Sequence, residues 1–159
     1  MAKPSVTTTH VQLDIPPVRA LFEGSTDAWI IGLSSTERPP RGLAGLLDWH
    51  LHGWISRSIE SGFLSGSAGE CAYLPTPLST PEGFRTLHLL FIGMGPSGRE
   101  RSMPEVSQQA LEKNLKSLGR KAWGASLSDL GDLPGQDAIK KISRALAAQS
   151  EEATLWISP

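Results

Sequence analysis

The strongest constraint in this chain is the alternation of wholly apolar runs with helical periods. Ahead of a final strand read at Ala153 to Ile157 (ATLWI), Ala28 to Leu33 (AWIIGL) and Leu87 to Ile92 (LHLLFI) are nearly free of polar side chains. Strands of that kind are buried on both faces, as in a largely parallel sheet between two layers of helices. Between the first two runs, Leu43, Leu46, Leu47, Leu51, Trp54, Ile55 and Ile59 recur at helical spacing. The spacing predicts one helix from about Gly42 to Ser61, with Gly62 as its left-handed stop. A second helix follows the second run, with Val106, Ala110, Leu111, Leu115 and Leu118 on its apolar face. Ser102-Met103-Pro104-Glu105 reads as its capping box and Gly119 as its end. A third helix is expected over Gln136 to Gln149, with Ala138, Ile139, Ile142, Ala145 and Leu146 facing inward.

Three weaker strands complete the pattern. His10 to Ile15 alternates polar and apolar residues, as a strand with one wet face does. Cys71 to Leu74 is a short strand candidate that Pro75 and Pro77 are expected to stop. Ala122 to Ser126 is the third. The order β-β-α-β-β-α-β-α-β predicts an α/β chain, a three-layer α/β/α sandwich around a mixed, mostly parallel sheet. Residues 1–159 are read as one domain.

Composition narrows the function classes. The chain holds 16 Gly and 12 Pro in 159 residues, against roughly 12% of the two together in average proteins. They fall between the periodic segments, as turn-formers. The net charge of −1 lacks the broad positive field of a nucleic-acid binder. It also leaves little repulsion against self-association. No apolar run is long enough to span a membrane as a helix. Met1 to Val6 has no apolar block, so no secretory signal is expected. The lone Cys71 has no partner within the chain for a disulfide, and a cytoplasmic location is expected.

The sharpest local motif is Gly93-Met94-Gly95-Pro96-Ser97-Gly98, directly after a buried strand and followed by Arg99 and Arg101. Such glycines can let backbone N–H groups approach a phosphate. Pro96 removes one of those donors. The acid that would grip a ribose, Asp129, lies about thirty residues beyond Gly98, where a dinucleotide fold places it about twenty on. A ligand-free connection explains the motif more simply. Its place in the fold is nonetheless where open α/β sheets bind ligands. Gly93, Gly95, Ser97, Gly98 and Arg99, with the loop after Leu33, are therefore the candidate ligand crevice.

Other chemistry is sparse. His50 and His52 stand about 200° apart on a helix and cannot chelate one metal. Asp48 and His52 would share a face as a surface pair. His88 is expected to be a hydrogen-bonded core histidine. The chain contains no H-E-x-x-H, C-x-x-C or G-x-S-x-G motif, and neither a metal nor another cofactor is expected. Cys71 and Ser65 are the remaining nucleophile candidates, and an inert buried thiol is the plainer explanation of Cys71. Asn114 is the lone Asn, which excludes chemistry that needs a pair. Trp29 and Trp156 sit in strand signals and Trp54 on the apolar helix face, which are core positions, while Trp49 is off the apolar stripe and is a candidate interface anchor.

Several segments together resemble the N-terminal, non-catalytic domain of the leucine aminopeptidase family. They are Asp27 to Leu33, Leu46-Leu47-Asp48, Ile59 to Gly66 with Gly69-Glu70, and Leu89 to Gly95 with the helix after it. They occur in family order over about Thr26 to Ile157. The resemblance implies a fold similar to macro domains and a role in subunit assembly. The catalytic domain's metal ligands and its Asn-Thr-Asp-Ala-Glu-Gly-Arg signature are absent from this sequence, so no catalytic residue carries over. The expectation is a non-catalytic interaction, oligomerisation or regulatory module. Its partner would be a second copy or an aminopeptidase-like chain, without nucleic acid or membrane. The alternative is a macro-type domain that binds a nucleotide, an ADP-ribose-like molecule or another anion.

Overall fold

The computed structural model describes residues 7–12, 26–97, 103–120, 122–126, 140, 142–144, 146 and 152–158. Within them the chain runs β1 (Thr7–Gln12), β2 (Ala28–Ser34), α1 (Gly42–His50), α2 (Trp54–Glu60), β3 (Cys71–Thr80), β4 (Gly83–Gly95), α3 (Glu105–Leu118), β5 (Ala122–Ser126) and β6 (Glu152–Ser158). Residues 140, 142–144 and 146 are helical as well.

The strands form one sheet in the order β1-β6-β5-β2-β4-β3. All pairs are parallel except β3 with β4. Period two in the strands sorts the core onto two faces. Ala28 and Ile30 of β2 and Leu90 and Ile92 of β4 pack against Leu111 and Leu115 of α3 and against Ile142 and Leu146. Trp29, Ile31 and Leu33, with Leu87, Leu89 and Phe91, pack against Leu43, Leu47 and Ile55 of α1 and α2. The expected α/β/α layering and mostly parallel sheet are thus present. Gly124 lies under Trp29, where a Cβ would come within 2.6 Å of the indole ring.

Five local expectations need correction. The helix expected from Gly42 to Ser61 is two helices. His52 and Gly53 both take positive φ, 55° and 77°. The His52 N–H donates to Trp49 O and the Gly53 N–H to Asp48 O, the paired bonds of a Schellman stop. This break also dissolves the expected Asp48–His52 pair. Asp48 instead accepts from the Ser56 N–H at 2.9 Å and the Ser56 hydroxyl at 2.5 Å. Its carboxylate caps the first turn of α2, where negative charge is favoured. Gly62 does end α2, at φ 78°.

The strand at Cys71 continues through Pro75 and Pro77 to Thr80. It is the sheet's β3 edge, and prolines two residues apart can point their missing N–H groups the same way, off that edge. The third helix-related correction is at α3, which starts at Glu105 with Pro104 in the cap position and no side-chain cap bond. The N-cap expected at Ser102 is therefore displaced, and Ser102 itself lies outside the described residues. Finally, Val106 is exposed and Ser107 is the buried residue of that turn. Residues 13–15 of the first expected strand, and most of Gln136 to Gln149, also lie outside the described residues.

Candidate ligand site

The C-terminal ends of the parallel strands make the relevant rim. From β2 the chain leaves toward the face covered by α1 and α2, whereas from β4 it leaves toward the face of α3. Ile142 and Leu146, downstream of β5, lie on the α3 face too. Neighbouring connections that part to opposite faces open a crevice at the strand ends, the switch point where open α/β sheets take ligands. β2 has such a point on each side, toward β4 and toward β5.

The β2/β4 side is laced by the protein's own hydrogen bonds. The N–H of Gly93 donates to Glu70 O and that of Gly95 to Gly66 O, both at 2.9 Å, while Gly95 O accepts from Ser35 N–H. The Ser97 N–H donates to Thr36 Oγ1 at 2.9 Å, and the two hydroxyls lie 2.8 Å apart. The donors that a phosphate would seek in Gly93, Gly95 and Ser97 are thus engaged inside the chain. Gly98 and Arg99 lie outside the described residues. The glycines are required by close approach instead. A Cβ on Gly93 would stand 1.9 Å from Ser67 O, and one on Gly66 2.5 Å from Ser34 O.

Three side chains that sequence reasoning passed over hold this rim. Glu70 accepts from the N–H groups of Ser65 and Gly66, the latter at 2.6 Å, and from the Ser65 hydroxyl at 3.1 Å. Buried Ser107 donates to Gly93 O at 2.6 Å and accepts from Gly69 N–H at 3.0 Å. Arg38 donates through Nη1 to Ser34 O at 2.9 Å and Glu37 O at 2.8 Å, and through Nη2 to Ser65 O at 3.0 Å. Only the pairing of a turn glycine with a following acid, Gly66 and Glu70, hinted at any of this. The partners are distant in sequence and leave no local pattern.

The nucleophile candidates are poorly placed for catalysis. Burial, and then the charge of Glu70, push the Cys71 thiol up from 9.0 to about 11, so the thiol stays protonated at neutral pH. The Ser65 hydroxyl lies 2.9 Å from Ser67 Oγ and 3.1 Å from a Glu70 carboxylate oxygen, and that carboxylate is already engaged in holding the loop. Among the described residues no three His, Cys, Asp or Glu side chains come together in a metal-binding group.

Two further places stand apart from the rim. His88 Nδ1 lies 2.6 Å from the Tyr73 hydroxyl, and its Nε2 is 4.0 Å from Asp27, which accepts from Arg120 at 2.8 Å. That half-buried network sits at the opposite end of β2. Trp49 is 77% exposed, with Leu46 beside it. Both border an open hollow of about 830 Å³ lined also by Pro39, Pro40, Arg41 and His52. Among the described residues no helix is long and apolar enough to cross a membrane.

No family model matches the sequence, and no curated protein does. Solved structures do match. The macrodomain of Thermus aquaticus DarG aligns over 96% of this chain and 98% of its own, at 15% identity and a TM-score of 0.64. Tomato leucine aminopeptidase, in a mutant form, aligns over all of this chain but 34% of its own, at 18% identity and a TM-score of 0.63. Thermosipho africanus DarTG in complex with ADP-ribose aligns over 98% of this chain and 43% of its own, at 10% identity and a TM-score of 0.60. The chain therefore has the macrodomain-like fold, which the aminopeptidase's matching region shares.

Proposed function

We propose that this chain is a small-molecule binding module that takes a phosphate-bearing nucleotide of the ADP-ribose type at the rim beside β2. One observation carries it. The connections leaving β2 and its neighbours part to opposite faces of the sheet, so the strand ends open a crevice there. The side toward β4 is filled by the stitched loops. The ligand therefore enters between the ends of β2 and β5, beside Ser34, with Thr36 and Arg38 standing on the laced β2/β4 side of that opening. In this role Gly93 and Gly95 hold the loop in place, and Ser97 is tied to it through Thr36. The ADP-ribose in the DarTG complex supports this choice of ligand. With Asn114 as the lone Asn, binding without turnover is the activity proposed.

Thermal melting with ADP-ribose, AMP and inorganic phosphate tests it. A ligand that binds only the folded state at a hundred times its Kd adds roughly 2.7 kcal/mol. A rise in melting temperature with ADP-ribose is expected. An unchanged melting temperature at millimolar ADP-ribose would reject the proposal.

A second function, an assembly module like the aminopeptidase region, is favoured by the exposed Trp49 and Leu46. Aromatic side chains are characteristic anchors of interfaces. Sedimentation of the wild type and of Trp49→Ser distinguishes it: a concentration-dependent dimer lost in the variant supports it, and a monomeric wild type at high concentration removes it.

A further inference from the structure

We propose that Arg38 is the residue that grips the ligand's phosphate, which narrows the ligand class to phosphate monoesters and pyrophosphates. This deepens the nucleotide-binding role and rests on it. A guanidinium has five N–H donors. Both on Nη1 are engaged, by Ser34 O and Glu37 O, and one on Nη2 by Ser65 O. The two left over sit on Nε and Nη2, and an adjacent Nε/Nη2 edge is one by which arginine binds a carboxylate or phosphate with two parallel bonds. Arg38 is exposed, so that side is reachable.

Its partners are all neutral carbonyls. No carboxylate among the described residues forms an ion pair with it. The side chain is thus held in one place by dipoles, while its charge is left without an acid to balance it. Fixing a long, flexible side chain in advance removes part of the entropy cost of binding. The carbonyls come from the end of β2 and from the Ser65 loop, so the guanidinium stands over the laced β2/β4 side and reaches the strand end that β2 shares with the β2/β5 opening. The adjoining hydroxyls of Ser34, Thr36 and Ser97, linked across 3.4 and 2.8 Å, add donors suited to phosphate and ribose oxygens.

The test combines chemical protection with binding. Phenylglyoxal modification of the wild-type protein is followed by peptide mass spectrometry, with and without inorganic pyrophosphate or ADP-ribose. Arg57, whose Nη1 donates to His52 O, is the control arginine away from the rim. Both probes are expected to protect Arg38 and to leave Arg57 unchanged. Calorimetry then compares wild type, Arg38→Lys and Arg38→Gln. Loss of a charge-assisted bidentate contact should weaken ADP-ribose binding about ten- to a hundredfold in Arg38→Gln. The slope of affinity against salt should also fall, which a merely structural arginine would not change. Arg38→Lys should fall between the two. Protection by pyrophosphate without ADP-ribose binding would keep Arg38 as the anion site and overturn the nucleotide role alone. ADP-ribose binding with no protection of Arg38, and equal affinity in a folded Arg38→Gln, would overturn the assignment of Arg38 alone. Neither probe protecting or binding would overturn both.

Discussion

Gly93 and Ser67 touch so closely that a Cβ on Gly93 would lie 1.9 Å from the Ser67 carbonyl oxygen. The contact fastens the loop before β3 to the end of β4. It explains the glycine in Gly-x-Gly without a ligand. Gly93→Ala must push backbone away from backbone, and overpacking of that kind costs typically about 1–3 kcal/mol. A melting temperature lower by several degrees is expected.

Asp48 reaches across the helix break to Ser56. Asp48→Ala should destabilise the fold by about 1 kcal/mol, as the loss of a helix cap does. Urea unfolding should report this as a lower midpoint with an unchanged slope. Ser56→Ala removes the hydroxyl but keeps the N–H bond, so its cost should be smaller. The double variant should fall short of the sum, because the two side chains share one contact.

Cys71 should be slow to react. With its thiol pushed up to about 11 rather than 9.0, the thiolate at pH 8 is about a hundredfold scarcer than in an unperturbed cysteine. Iodoacetamide labelling in native buffer should be slower by that order, and urea should restore it. The sign of the linkage follows: folding favours the protonated thiol. Its contribution to stability is complete below pH 9.0 and is lost as the pH rises toward about 11.

Tyr73 and His88 join β3 to β4 at the far end of the sheet. Tyr73→Phe should lose roughly 1 kcal/mol, the usual worth of a hydrogen bond. ADP-ribose binding should be unchanged, since the pair is remote from the rim. Melting curves and calorimetry on the same samples check both halves.

The layers were legible because burial alone sets the period of their residues. Trp29 and Ile30 point to opposite faces, and the unbroken apolar run already implied helices on both. The stop at Gly62 was legible because it needs only a glycine at the end of a period. The break at His52 was not, because positive φ is uncommon for any residue other than glycine and a lone histidine does not announce it. Gly53 was its only signal, hidden within a continuous apolar stripe. Pro75 and Pro77 misled because their tolerance depends on β3 being an edge. Ser107 misled because its burial depends on Gly69 and Gly93, partners that no helical pattern encodes. The rim's position could be read from Gly93 and Gly95. Arg38 could not, since its role arises only when Ser34 and Ser65 meet in space.

The most direct measurement is an amide chemical-shift titration of the ¹⁵N-labelled protein with ADP-ribose. Perturbations are expected to cluster at Ser34 to Arg38 and at Ala125 and Ser126, with Tyr73 and His88 unmoved. No perturbation at millimolar ligand, or a cluster centred on Tyr73 and His88, would contradict a binding site at the strand ends beside β2.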